Sequence, residues 1–115
     1  MSRSLVAVAG VTSVVFMTTA FGLPSQIDAK AEYAGKCAMC HGATGAGDGP
    51  AGAAFNPPPP DFTDAEYQKS RTDEELTASI ADGKGTMPPF KGQLSDDAIA
   101  AVVAYIRELG PAGGR

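Results

Sequence analysis

The feature that most constrains this chain is the five-residue motif Cys37-Ala38-Met39-Cys40-His41. Two thiols three positions apart, with a histidine directly after the second, form the pattern typical of covalent haem attachment. The cysteines can add across the two vinyl groups of one porphyrin, and the histidine can then bind the iron. The chain has no other cysteine and no other histidine. The motif therefore predicts a c-type haem site at Cys37, Cys40 and His41.

The motif has three other interpretations besides haem attachment and a chance match. A redox-active dithiol of the thioredoxin kind is expected beside a strand-helix-strand pattern, and the sequence has no convincing strand. A structural zinc site needs four protein ligands, whereas this run offers three. A disulfide between residues this close would close too small a loop to stabilise the fold much. Haem attachment is the favoured interpretation, and a dithiol, a metal site and a chance match are the alternatives.

The first segment of the chain differs from the rest. Arg3 is followed by an uncharged, largely apolar run from Leu5 to Phe21, which is typical of a secretory signal. Small residues stand just before a suitable cleavage point, so we predict a signal peptide over residues 1–22 and a mature chain from Leu23. The alternative is an uncleaved membrane anchor, because the apolar run is nearly long enough to span a bilayer.

For the rest of the chain we predict one small exported domain over residues 23–111, followed by a frayed tail over residues 112–115. Without Arg3 it has eight basic and thirteen acidic residues, a net charge of −5. That charge disfavours nucleic acid and anionic lipid, and it favours a redox partner with a basic surface. With 7% aromatic residues and no tryptophan, the domain has a small core of its own. A bound porphyrin would supply an apolar surface for packing.

Capping patterns predict several helices, and no internal repeat is present. Ser25 to Asp28 resembles a capping box and predicts a helix from about Gln26 to Ala38, which would carry Tyr33 and the first thiol on one face. Three further helices are predicted from their caps. The first begins at Thr63 and runs about two turns through Tyr67. The second begins at Thr72 and stops at Gly83, and the third begins at Ser95 and stops at Gly110. Phe62 and Tyr67 are core candidates beside the cofactor, although Tyr67 could equally be half exposed.

A glycine-rich stretch follows the motif, with glycines at positions 42, 45, 47, 49 and 52. One interpretation is a flexible loop. The other is a backbone that must pass close beneath a flat cofactor on the histidine side. In that case the carbonyl of Pro50 could accept the Nδ1 proton of His41 and orient the ring.

The second axial ligand of the iron is predicted by elimination among four methionines. Met1 and Met17 lie outside the predicted domain, and Met39 is too close to His41 to reach the opposite face of the ring. Met87 remains, in a loop held by glycines and prolines; the alternative is ordinary core filling. Ligation by histidine and methionine raises the reduction potential and leaves the iron no open position, which favours one-electron exchange.

The chain resembles the small bacterial class I cytochromes c of the single-haem, His/Met type, from about Asp28 to Gly110. Four motifs carry the resemblance, namely Cys37-Ala38-Met39-Cys40-His41, Gly45-Ala46-Gly47-Asp48-Gly49-Pro50, Gly85-Thr86-Met87-Pro88-Pro89 and Val102-Val103-Ala104-Tyr105-Ile106. The resemblance implies an all-α fold of three to five helices wrapped around one covalently attached haem c. The chain departs from the mitochondrial type in lacking its basic face and its tryptophan, which leaves the partner open.

The resemblance also implies roles for individual residues. Cys37 and Cys40 would carry the thioethers, His41 would be the proximal ligand, Met87 the distal ligand, and the Pro50 carbonyl would support His41. The first and last helices would cross near the haem edge, where Tyr33 would meet Val102 and Tyr105.

The leading functional hypothesis is a periplasmic electron carrier, which is not an enzyme and has no catalytic residue. The alternative is a cytochrome c subunit, docked or membrane-anchored, of a larger oxidase or dehydrogenase. A small redox enzyme or gas sensor with a displaceable methionine is less favoured. The charged residues nearest the distal loop, Lys84 and Lys91, are expected to be solvated and not to act as acids or bases.

Overall fold

The computed structural model describes Ala7, residues 9–11, residues 13–15 and the continuous range 26–111. Within that part of the chain the regular elements are helical and no β-strand forms. They are α1 (Ala29–Lys36), α2 (Ala38–His41), a 3₁₀ helix (Gly52–Ala54), α3 (Ala65–Ser70), α4 (Asp73–Asp82) and α5 (Asp96–Leu109). The all-α prediction is confirmed.

Both ends of the sequence fall largely outside this description. Most of the predicted signal over residues 1–22 lies outside the described residues. The whole of the predicted tail over residues 112–115 also lies outside them. Among the residues that are described, no helix combines the length and the apolar character needed to cross a bilayer.

Helix α1 begins later than predicted. The carboxylate of Asp28 accepts a hydrogen bond from the backbone N–H of Ala31 at 3.0 Å, so Asp28 is the N-cap and the helix starts at Ala29. The prediction of a start near Gln26 is therefore wrong by three residues: serine and aspartate are comparable caps, and the sequence does not rank Ser25 against Asp28. Ser25, the cap of the predicted box, lies outside the described residues.

Helix α3 also differs from its prediction at the cap. Asp64, and not Thr63, accepts from the backbone N–H of Glu66, and α3 therefore starts one residue later than a Thr63 cap would place it. It continues beyond Tyr67 to Ser70. Neighbouring threonine and aspartate are both good caps, so the spacing alone did not decide between them.

Helix α4 has the predicted capping box. The hydroxyl of Thr72 accepts from the backbone N–H of Glu75 at 3.1 Å, and the Glu75 carboxylate accepts from the backbone N–H of Thr72 at 2.9 Å. The helix ends at Asp82, and Gly83 follows with a φ of 76°, as expected of a glycine stop.

Helix α5 contributes more buried residues to the core than any other helix. Ser95 caps it by accepting from the backbone N–H of Ala98, and Gly110 ends it, both as predicted. Its apolar stripe is buried, and both α1 and α4 pack against it. Where α1 meets α5, the rings of Tyr33 and Tyr105 lie 5.2 Å apart, which confirms that predicted contact. The buried residues of the stripe are Ile99, Val102, Val103 and Ile106.

A buried polar link fastens α3 to α5. The side-chain amide of Gln68 donates to the carbonyls of Phe62 at 2.7 Å and Ile106 at 3.0 Å, and its oxygen accepts from Arg107 at 2.8 Å. Arg107 also donates to the Asp73 carboxylate at 2.8 Å. Because each polar group of Gln68 is paired, the amide can lie in the core without a desolvation cost.

Candidate functional site

The motif of two cysteines and a histidine forms one helical turn that continues α1. The backbone N–H of Cys37 donates to the Tyr33 carbonyl, and the backbone N–H groups of Cys40 and His41 donate to the Cys37 carbonyl at 3.2 and 2.9 Å. Positions i, i+3 and i+4 of a helix share one side. The two thiols and the imidazole therefore project from the same side of α2, as attachment to one flat group requires.

Both cysteines are free thiols, and Cys37 is buried. Burial raises the pKa of the Cys37 thiol to about 11, and the nearby Lys36 lowers it only in part. Redox-active dithiols work through a thiolate whose pKa is lowered to near or below neutrality. The microenvironment of Cys37 therefore does not support the alternative of an exchange-active dithiol.

The imidazole of His41 is buried, and its surroundings favour the form that binds a metal. Burial lowers its pKa, so the neutral ring, the form that ligates metals, is favoured. Its ring lies parallel to that of Phe62, with the centroids 4.7 Å apart and the planes inclined by 14°. Among the described residues, Nδ1 of His41 is a buried polar atom that has no hydrogen-bond partner. Because buried polar atoms are nearly always paired, the unpaired Nδ1 distinguishes His41 from a satisfied core histidine, and Nδ1 is the atom from which a neighbouring carbonyl would accept if the other ring nitrogen bound the iron.

The glycine-rich segment after the motif lies tightly against it. The backbone N–H of Gly49 donates to the Cys40 carbonyl at 3.2 Å, and that of Ala51 donates to the Met39 carbonyl at 3.0 Å. A side chain at Gly49 would collide with the backbone of Met39 and Cys40. This close approach agrees with the second interpretation of the glycines, that backbone must pass close on the histidine side.

Pro50 lies between the two residues that make these hydrogen bonds, which places its backbone beside the attachment turn. The structure has no hydrogen bond from Nδ1 of His41 to the Pro50 carbonyl, because Nδ1 is unpaired within the described residues. The orienting role of Pro50 remains a prediction.

Met87 lies in a fixed turn between α4 and α5. The backbone groups of Lys84 and Met87 exchange two hydrogen bonds, at 3.1 and 3.0 Å. After the turn, the backbone N–H of Phe90 donates to the Ile80 carbonyl at 2.9 Å, which ties the loop back to α4. The Met87 side chain is half-buried and packs against the core, whereas Met39 is 64% exposed.

The two lysines near this loop, Lys84 and Lys91, are exposed, as predicted. A protein metal site built from side chains would need at least three histidine, cysteine, aspartate or glutamate residues close together. The described residues contain no such group.

The structure adds contacts at the site that the sequence did not predict. Phe62 was predicted to be a core residue, but its stacking on His41, 21 positions earlier, has no local signal. Gln68, which donates to the Phe62 carbonyl, and Arg107, which donates to the Gln68 oxygen, carry no motif either. A glutamine or an arginine on a helix is usually predicted to be solvent-exposed. Only the tertiary fold shows that these two are hydrogen-bonded to each other and largely buried.

Comparison with known proteins defines the class of protein. Residues 25–106 match the family described as cytochrome c oxidase, cbb3-type, subunit III. The c-type cytochrome KustC0563 has a solved structure that matches with a TM-score of 0.62 and 30% identity, over 73% of this chain and 99% of that one. The fold is therefore that of a c-type cytochrome.

Three relatives agree with this assignment. Cytochrome c6 of Synechocystis sp. is 32% identical over 73% of this chain and 65% of its own length. Cytochrome c6 of Chlorolobion braunii is 34% identical over 67% of this chain and 82% of its own. The cbb3-type cytochrome c oxidase subunit FixPc of Rhizobium leguminosarum bv. viciae is 30% identical over 70% of this chain. The aligned region spans 26% of that oxidase subunit.

The chain belongs to the cytochrome c family, as a small class I monohaem member, and carries covalently attached haem c. The aligned region covers less than two thirds of the Synechocystis and Rhizobium relatives. Cytochromes of this family carry electrons and are not catalysts by themselves. The two free cysteines of the motif are consistent with the attachment.

Proposed function

We propose that this protein is a periplasmic one-electron carrier whose haem is ligated by His41 and Met87. The observation that carries the proposal is the placement of Cys37, Cys40 and His41 on one helical turn, with the imidazole buried and its Nδ1 unpaired within the part of the chain that the structure describes. The exported location rests on the predicted signal over residues 1–22.

Each residue of the site has a defined task in this proposal. Cys37 and Cys40 hold the porphyrin through thioethers, which do not exchange with other thiols. His41 would bind the iron through one ring nitrogen, and its Nδ1 would donate to the Pro50 carbonyl. Met87 would bind the iron through its sulfur, and the two hydrogen bonds between Lys84 and Met87 hold its loop in place.

The bound haem supplies an iron that changes between the ferrous and ferric states. The protein's own contribution would be to bind the iron through His41 and Met87 and to cover the His41 imidazole with the ring of Phe62. Thioether sulfur favours the ferrous state, so this ligand set raises the potential relative to two histidines. With no open position, the site excludes substrate binding and leaves electron transfer.

The acidic charge of the chain supports a partner with a basic docking surface. The sequence has thirteen acidic and nine basic residues. Opposite charges on two proteins speed their encounter, and this effect weakens as salt screens it. The electron-transfer rate with the natural partner should therefore fall with ionic strength.

The test of the proposal uses protein from cells that contain a haem-attachment apparatus. We expect a haem stain that survives a denaturing gel, and a reduced-minus-oxidised spectrum typical of a six-coordinate c-type haem. Replacement of both Cys37 and Cys40 by serine should abolish the stained band. Colourless wild-type protein, or pigment that acid acetone extracts, would contradict the proposal.

A second candidate function is a docked or anchored subunit of a larger oxidoreductase. It is favoured by the similarity to the Rhizobium oxidase subunit, in which the matching region is about a quarter of the chain. Cell fractionation separates the two functions. A carrier is released with the soluble periplasm and begins at Leu23, whereas an anchored subunit stays with the membrane and keeps its N-terminal segment.

A further inference from the structure

The stacking of Phe62 on His41 orients the imidazole. Rotation about the bond that joins an imidazole to its Cβ is a soft torsion with broad minima, so the ring plane needs an external restraint. Among the described residues Nδ1 has no hydrogen-bond partner that could provide it, so packing against the ring face supplies a restraint that does not depend on the Pro50 bond proposed above. The nearly parallel face of Phe62, with centroids 4.7 Å apart, limits the ring to one plane.

Phe62 is itself fixed by its backbone on both sides. Its N–H donates to the carbonyl of Gly45 at 2.7 Å, and its carbonyl accepts from the Gln68 amide at 2.7 Å. Arg107 in turn holds Gln68 through its oxygen at 2.8 Å. The position of the phenyl ring against the imidazole is therefore set by the packing of α3 on α5.

The side chain of Phe62 is enclosed as well. The ring of Tyr67 lies 5.7 Å away at an inclination of 46°, and Phe62 is 4% exposed. On the side of the glycine-rich loop, a Cβ at Gly45 would lie 3.3 Å from the Phe62 Cβ and 2.7 Å from the Cδ1 of Leu109. Glycine at position 45 therefore leaves the space in which Phe62 reaches His41.

We propose that Phe62 is a positioning residue that sets the plane of the His41 imidazole, and with it the orientation of the axial nitrogen ligand over the haem. This inference rests on the proposed ligation by His41. A second effect follows from burial. An apolar ring that covers the ligand keeps water from the proximal side, which disfavours the more highly charged ferric state and raises the midpoint potential.

The proposal is tested with Phe62→Leu, which keeps an apolar side chain and removes the flat face. The haem-methyl proton shifts of a ferric cytochrome depend on the plane of its axial ligands, whereas a change in stability alone does not move them. We expect Phe62→Leu to keep its covalent haem, to change the spread of these shifts and to lower the potential. Phe62→Tyr, which restores a flat ring, should return both values toward wild type.

A matched control is Ile99→Ala, which removes packing from the same core on α5, where Ile99 is 1% exposed. It should lower the melting temperature at least as much as Phe62→Leu and leave the haem-methyl shifts unchanged. Equal changes in both variants, or no change in Phe62→Leu with the haem still bound, would overturn the positioning role.

A measurement on the wild-type protein covers the case in which Phe62→Leu fails to fold. In the diamagnetic ferrous state, nuclear Overhauser effects should connect the ring protons of Phe62 and His41, and their absence would overturn the proposal. If the wild-type haem is not bound by His41, the proposed function and this inference fail together. A bound His41 without contact to Phe62 removes the inference alone.

Discussion

The hydroxyl of Tyr33 donates a hydrogen bond to the carbonyl of Gly42 at 2.8 Å, and both groups are buried. Tyr33 belongs to α1, and Gly42 is the residue directly after His41. This bond therefore closes the attachment turn onto the helix that precedes it. The ring of Tyr33 also packs on Tyr105 of α5, so one side chain joins both terminal helices to the motif.

The first prediction concerns this hydrogen bond. Tyr33→Phe should lower the free energy of unfolding by about 1–3 kcal/mol, because the Gly42 carbonyl would be buried without a partner. Urea unfolding of the haem-loaded protein measures this change. Tyr105→Phe, at the more exposed ring of the pair, is the control and should have a smaller effect. Equal stability of Tyr33→Phe and wild type would contradict the prediction.

The same tyrosine predicts a dependence of stability on alkaline pH. Burial raises the pKa of Tyr33 far above its ordinary value of about 10. The folded protein therefore keeps a proton that the unfolded chain loses. The stability that this proton confers is complete below about pH 10 and declines as the pH rises above it.

Urea unfolding between about pH 8 and pH 11 tests this effect. The decline should be smaller in Tyr33→Phe than in wild type. A part of it should persist, because burial also raises the pKa of Tyr67. Identical declines in the two proteins would show that Tyr33 is not the group responsible.

The third prediction uses the close approach of the glycine-rich segment to the attachment turn. Gly49→Ala should reduce the yield of haem-loaded protein, because the added methyl group collides with the backbone of Met39 and Cys40. Gly35→Ala in α1 is the matched control, since a Cβ there would have no atom within 4 Å other than those of its own helix backbone and chain neighbours. It should stabilise the protein by about 0.5–1 kcal/mol. Quantitative haem staining against total protein measures the yield, and equal yields would refute the predicted collision.

The fourth prediction concerns the polar link between α3 and α5. Arg107→Ala should lower the free energy of unfolding by about 1.5–3 kcal/mol, because it leaves the Gln68 oxygen and the Arg71 carbonyl without their charged donor. Lys69→Ala removes only an exposed ion pair with Glu66 and should change stability by at most about 0.5 kcal/mol. Similar losses in the two variants would show that the link does not hold the helices together.

The sequence predicted the elements whose signals are local. The capping box of Thr72 and Glu75 and the cap at Ser95 involve residues three positions apart, and both form as expected. The apolar stripe of α5 is a periodic signal, and it is buried. Where two good caps compete, as Thr63 and Asp64 do, the start shifted by one residue because spacing does not rank them.

What the sequence did not predict depends on contacts between distant residues. Phe62 and His41 are 21 positions apart, and Gln68 and Arg107 are 39 apart. Nothing near Gln68 marks it as buried, because its partners come from α5 and from the Phe62 carbonyl. The residues that would bind the haem are readable from the sequence, whereas the residues that position them are set by the tertiary fold.

The most direct test of the account is the comparison of Met87→Ala with Met39→Ala. The two methionines differ in place, since Met87 is half-buried in the turn between α4 and α5 and Met39 is exposed within the attachment motif. Ferric spectra, the midpoint potential and carbon monoxide binding by the ferrous protein are measured for each. We predict that Met87→Ala loses the sulfur-to-iron charge-transfer band, has a lower potential and binds carbon monoxide, and that Met39→Ala matches wild type. A wild-type spectrum and potential in Met87→Ala would contradict the account.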